Sequence, residues 1–194
     1  VATSNIVMRH DEIHGSTTNN GAMMSCGNGA ATWSGGQSNL YIYNNYIHDN
    51  GPTDRTAEHD LHGFKCGTTS ALTGLWYVDN HSHDNSGDSL QMGSVADGTA
   101  EPAHFIYVGK NACHSDHEQC LDFKTVQDVI VSQNNIQDGR PSFGTAGECM
   151  AVHNSAIRTW WLFNYCHASR VGLGATGQTD LRVLGNVFYD VKHI

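Results

Sequence analysis

The chain repeats itself, and that repetition restricts its fold more than any other feature. A polar residue, an apolar run and an Asn-bearing corner recur as SNIVMRHDEIHG from Ser4, SNLYIYNNYIHDN from Ser38 and TGLWYVDNHSHDN from Thr73. They recur again as AHFIYVGKNACHSD from Ala103, QDVIVSQNNIQDG from Gln127, IRTWWLFNYCHAS from Ile157 and TDLRVLGNVFYDV from Thr179. The leading apolar slots read Ile6, Leu40, Leu75, Phe105, Val129, Thr159 and Leu181. Five residues after each come Asp11, Asn45, Asn80, Lys110, Asn134, Asn164 and Asn186. Between copies lies a second kind of strand: MMSCG from Met23, HGFKCG from His62, DSLQMG from Asp88, QCLDFK from Gln119, ECMAVH from Glu148 and VGLGAT from Val171.

Alternation sets Met24/Cys26, Phe64/Cys66, Leu90/Met92, Leu121/Phe123 and Met150/Val152 on one face of these strands. Ser25, Lys65, Gln91, Asp122/Lys124 and Ala151/His153 take the other. Helical periodicity fails throughout, because the apolar residues come in pairs and triplets between Gly and Asn. A unit this short cannot bury its apolar face alone, so units must stack and share a core. The expectation is an all-β parallel solenoid of about seven coils over residues 1–194, one domain, with corner Asn side chains bonded into a ladder. The chain opens without Met and in mid-repeat, which reads as a mature protein or a piece of a longer solenoid. The alternative, a β-sandwich, would want hairpin turns and would not repeat one corner.

Composition narrows the function classes. Charged residues make up 15% and the net charge is −9, with no basic stripe to hold a nucleic-acid backbone. No run of about 18 apolar residues offers a membrane span. Six Cys without C-x-x-C spacing favour disulfides in a secreted protein over a zinc ribbon. Register offers Cys26 with Cys66 and Cys120 with Cys149, and Cys113 with Cys120 is a rival local loop. Asn80-His81-Ser82 matches a glycosylation sequon, but Asn80 is a corner residue and reads as structural.

Chemistry gathers near the second strands. Asp88, Glu118 and Asp122 lie in register on coils about 4.8 Å apart, and converging carboxylates suit Ca²⁺. Lys124 and His153 stand on the same outer face as candidate bases. Lys65, Gln91, Arg140 and Arg170 are candidate substrate contacts, the arginines as carboxylate clamps. Glu148 with Asp122 makes the paired acids of a hydrolase. Thirteen His include His81/His83 and His114/His117 in adjacent coils, a conceivable transition-metal group without a closed motif. The outward members among Tyr41, Tyr43, Trp76, Tyr77, Trp160 and Trp161 would offer sugar-stacking platforms.

HEQCLDFKTVQDVIVSQNNIQD and LRVLGNVFYDV resemble right-handed parallel β-helix proteins of the pectate-lyase-like superfamily, and the resemblance covers nearly the whole chain. It implies right-handed coils. Glu118-Gln119-Cys120-Leu121-Asp122 is similar in spacing to the calcium-binding acidic turn of family nine pectate lyases. Gln119 replaces an expected acid and Cys120 an expected Gly. The implied function is an extracellular, Ca²⁺-assisted lyase acting on a uronate polysaccharide. The alternative is a non-catalytic β-helix, a carbohydrate-binding, adhesin or filament protein, whose open ends invite end-to-end self-association.

Overall fold

The computed structural model describes residues 3–26, 37–54, 56–57, 59–66, 72–93, 103–139 and 147–194. These are all-β; among them no helix is long and apolar enough to cross a membrane. Seven strands form one sheet: Thr3–Arg9, Gln37–Tyr43, Leu72–Val78, Ala103–Gly109, Val126–Ser132, Ile157–Leu162 and Thr179–Leu184. They neighbour in chain order and pair in parallel, each with its equivalent one repeat on.

A twelve-stranded sheet holds the other two columns. One column is of three-residue strands, Glu12–His14, Tyr46–His48, His81–His83, Ala112–His114 and Asn135–Gln137. The other is Asn20–Ser25, Asp60–Cys66, Leu90–Met92, Leu121–Lys124 and Glu148–His153. Tyr165–Ala175 joins both columns, because its first half continues the short strands and its second half pairs with Glu148–Val152. Val187–His193 pairs with it in turn.

The expected alternation holds. Phe64, Leu90, Met92, Leu121, Phe123, Met150 and Val152 meet Leu75, Tyr77, Val108, Val129, Val131 and Trp161 from the opposite sheet in one buried cluster. Phe123 sets its edge on Trp161, with ring centroids 5.4 Å apart. In this row the side chains are large and fully enclosed, so deleting one opens a cavity as well as losing transfer energy.

The corner Asn side chains bond from repeat to repeat. Asp11 N–H donates to Asn45 Oδ1, and the chain of amides runs on through Asn80, Asn111, Asn134, Asn164 and Asn186. Their separations are 34, 35, 31, 23, 30 and 22 residues. Two expectations shift here by one residue. Ile106, not Phe105, is in register with Leu75 and Val129, and Asn111, not Lys110, is the ladder member. Phe105 takes a left-handed φ of 58° and turns outward, 62% exposed. The left-handed corner residue is the one before each ladder Asn: Asn44, Asp79, Lys110, Gln133, Phe163 and Gly185. The ladder Asn keeps its side chain for the stack, and the turn falls to its predecessor.

A second, shorter ladder follows the three-residue strands. Asn50 Nδ2 donates to Asn85 Oδ1 and Asn85 Nδ2 to Asp116 Oδ1, both at 2.9 Å. Three disulfides close the core. Cys26–Cys66 joins neighbouring repeats as register suggested. Cys113–Cys120 forms, so Cys120 is not bonded to Cys149, which bridges to Cys166 instead. Cys120 and Cys149 stand one above the other, but Cys120 bonds to Cys113 on the short strand of its own repeat and Cys149 to Cys166 on that of the next.

Candidate acid–base site

The outer row of the third column reads Ser25, Lys65, Gln91, Asp122, Ala151 and Gly174 in register. Lys124 pairs with His153 one row along. A parallel ladder thus delivers residues from four repeats to one patch. Asp88 and Asp122 are almost wholly buried there.

Hydrogen bonds fix most of this patch. Asp88 Oδ1 accepts Gln119 N–H at 2.9 Å and Oδ2 accepts Gln91 Nε2 at 3.1 Å. His62, fully buried, puts Nε2 2.7 Å from Asp60 Oδ1. Its Nδ1 accepts the Asp88 N–H at 3.0 Å when neutral and faces Asp88 Oδ2 at 3.3 Å when protonated. Burial lowers its pKa, but the hydrogen bonds and charges of Asp60 and Asp88 together outweigh burial and raise it. Burial likewise pushes Asp60 up and is outweighed by His62 and Lys65, so Asp60 ends low. Glu118 moves the other way: burial, then the charges of Asp88 and Asp60, hold its proton on. Asp60 and Glu118 therefore share one proton, with His62 beside them.

Around Asp122 the arrangement is different. Lys124 Nζ lies 2.6 Å from Asp122 Oδ2. Asp122 Oδ1 is buried without a hydrogen-bond partner and faces His153 Nε2 at 3.9 Å. Glu148 Oε2 lies 3.9 Å from the same nitrogen and accepts Gln119 Nε2 at 3.2 Å. His153 Nδ1 is anchored to Thr176 Oγ1 at 2.9 Å. Burial raises the pKa of Asp122, and the charge of Asp88 adds to it. Burial also raises Glu148. Burial and then Lys124 lower His153, which leaves it neutral in neutral water. Lys124 resists deprotonation, since Asp122 and Asp88 outweigh its burial. Gly174 makes room for this geometry, because a Cβ there would overlap the Glu148 carboxyl.

The structure gathers Lys65, Gln91, Asp88, Glu118, Asp122, Lys124 and His153 in one patch. Arg170 is exposed and reaches Glu148 only through its charge. Arg140 and the loop 95–102 lie outside the described residues. Asp116, two residues before Glu118, belongs to the second ladder and not to this patch. Gln119, Thr176 and the Asp60–His62 pair carry the site's orientation.

As a calcium site the Asp88, Glu118 and Asp122 set fits poorly. Both Asp88 oxygens are engaged by amide donors, Glu118 keeps its proton, and an ammonium already neutralises Asp122. Cys113 and Cys120 stand near Asp116, but their disulfide leaves no thiolate to bind a metal.

A second surface covers the seven-stranded sheet. Tyr41, Trp76, Tyr107, Ile130 and Trp160 follow one another in register on its outer side. Tyr77 and Trp161 point inward and are 1% and 0% exposed, whereas Trp76 and Trp160 are 51% and 42% exposed. A groove of about 1020 Å³ runs along this row, with Lys110, Asp128 and Arg158 at its border. It does not include the acid–base patch.

Compared with protein families, with characterised proteins and with solved structures, the chain finds no match.

Proposed function

We propose that the chain is a right-handed parallel β-helix of about seven coils, of the pectate-lyase-like kind, and an extracellular enzyme that cleaves a uronate polysaccharide by β-elimination. The coils and their hand rest on the repeat and on the resemblance; three disulfides fit an oxidising compartment. The observation that carries the activity is a neutral His153, tethered at Nδ1, whose Nε2 faces Asp122 and Glu148 beside the Lys124 ammonium. His153 Nε2 takes the proton α to the uronate carboxylate. Lys124 meets the charge that develops on that carboxylate. Glu148, whose carboxyl burial raises above its ordinary value, returns a proton to the departing glycosidic oxygen. Burial keeps the proton on Glu118 and raises Asp122 and Glu148 above the ordinary carboxylate range, so the patch is less negative than its composition and accepts an anionic chain. Lys124 rather than calcium supplies the positive charge in this reading.

The test is a panel of uronans followed by the ultraviolet absorbance of the unsaturated product. His153→Ala should lower the rate by roughly 10²–10⁴-fold without changing the fold. Activity that vanishes with a chelator would return the charge role to calcium at Asp88, Glu118 and Asp122. New reducing ends without absorbance would make Asp122 and Glu148 a hydrolytic pair instead.

One observation favours a non-catalytic reading. The exposed aromatic row over the seven-stranded sheet is a platform of the kind sugar rings stack on. If no uronan is cleaved and Trp76→Ala abolishes polysaccharide binding, the protein is a carbohydrate-binding β-helix.

A further inference from the structure

The short-strand column carries a stack of imidazoles that the acid–base site does not use. His14, His48, His83 and His114 occupy one register position in four successive strands. Their rings lie nearly parallel, with centroids 5.0, 5.2 and 4.6 Å apart. His81 stands beside this stack. It shares the strand His81–His83 with His83, both side chains outward and Ser82 buried between them. Ala112 is the residue in register with His81 on the next strand. Its single methyl leaves His81 room to lean across, and His81 Nε2 reaches within 3.2 Å of His114 Nε2.

We propose that His81, His83 and His114 form a binding site for one divalent transition-metal ion of the zinc class. One ligand nitrogen from each lies within 4.8 Å of the others. In a tetrahedral zinc site with Zn–N of about 2.0–2.1 Å, neighbouring nitrogens are about 3.3 Å apart. The His81–His114 pair already has that spacing. His83 is oriented as a metal-ligating imidazole is: Asp84 Oδ2 takes its Nδ1–H at 2.7 Å, which leaves the Nε2 lone pair for a proton or a metal. In this structure that lone pair faces the Tyr46 hydroxyl at 2.7 Å. His83 and His114 stack at an interplanar angle of 6°, so their lone pairs run side by side. The ion therefore closes the site by tilting His83 off the stack. Three imidazoles and no hard oxygen select zinc, copper or nickel over calcium. Three protein ligands leave a coordination position open. None of these residues belongs to the acid–base patch, so the metal site stands or falls apart from the lyase reading.

The experiment is calorimetric titration of the metal-stripped chain with Zn²⁺ alone, beside the visible spectrum of the Co²⁺-loaded, unmutated chain. One ion per chain is expected, and a tetrahedral cobalt spectrum. His81→Ala and His114→Ala should each weaken Zn²⁺ binding by more than the roughly 10–100-fold that an outer-shell change gives. Asp84→Asn should stay within that range. Ala112→Leu removes no ligand but fills the space His81 leans through, and should weaken binding as strongly. His104→Ala, on the other sheet, should leave it unchanged. Absent binding, an octahedral cobalt spectrum, or equal loss in His104→Ala would overturn the site. The spectrum of the unmutated chain decides the matter even if a variant does not fold.

Discussion

Asp116 holds a position whose neighbours in the second ladder are asparagines. Its Oδ1 accepts both the N–H and the Nδ2 of Asn85 at 2.9 Å, and its Oδ2 bonds to the Ser89 hydroxyl. Full burial nevertheless pushes its carboxyl up to about 7. The folded chain thus keeps a proton that the unfolded chain releases near pH 4. That contribution to stability is complete below about pH 4 and is lost as pH rises through about 7, on the order of a few kcal/mol. Asp116→Asn supplies an uncharged side chain of the same shape. It should raise the melting temperature in mildly alkaline buffer, leave it nearly unchanged in acid, and flatten the profile between. A profile of unchanged slope would show that Asp116 does not control it. Burial raises the Glu148 carboxyl as well, but Glu148, unlike Asp116, has the His153 imidazole opposite it.

The ladder is what each repeat adds beyond its apolar strands. Asn80 accepts from Asn45 N–H and Nδ2 and donates to the Ile42 carbonyl and to Asn111 Oδ1. Asn80→Ala strands these groups in the interior, at about 1–3 kcal/mol each. Chemical denaturation should show a loss of at least about 2–4 kcal/mol. Asn186→Ala, at the partly exposed end of the ladder, should cost distinctly less. Equal losses at both positions would mean that the ladder stabilises by corner geometry and not by satisfying buried amides. The third column depends on a glycine in the same way. Gly93 has a φ of 79°, and a Cβ there would overlap the Lys124 carbonyl. Gly93→Ala should lower the melting temperature and, by shifting the Lys124 backbone, reduce the rate on any cleaved uronan.

Across the whole molecule the long-strand sheet has two outer members, Thr3–Arg9 and Thr179–Leu184, each paired on one side only among the described residues. Ile6 and Val7 at one end, and Val183 and Leu184 at the other, expose apolar side chains. Parallel edges of this kind pair with another edge of the same spacing. Light scattering should show association that grows with concentration, and Val183→Lys should suppress it; a monomer at every concentration would exclude end-to-end stacking. The three disulfides act at this scale as well. Reduction should cost about 2–5 kcal/mol for each bridge whose loop it releases, read as an earlier denaturant midpoint.

The sequence by itself determined the strands, their repeat and their inward faces, because alternation and a recurring Asn are local signals that survive without a partner. It also placed Asp122, Lys124 and His153 on one outer face, since register follows from the repeat. It misplaced Phe105 and Lys110 by one residue: every repeat has a left-handed residue just before the inward slot, and only here is that residue apolar, so Phe105 imitates the slot that Ile106 fills. It could not decide which sulfur Cys120 meets. That depends on which of three columns a side chain faces, and a one-dimensional pattern records the order of residues but not the turn between columns. Only the stacked structure brings Asp60 and His62 to Asp88, turns Lys124 onto Asp122, and lets His81 lean over Ala112 to reach His114.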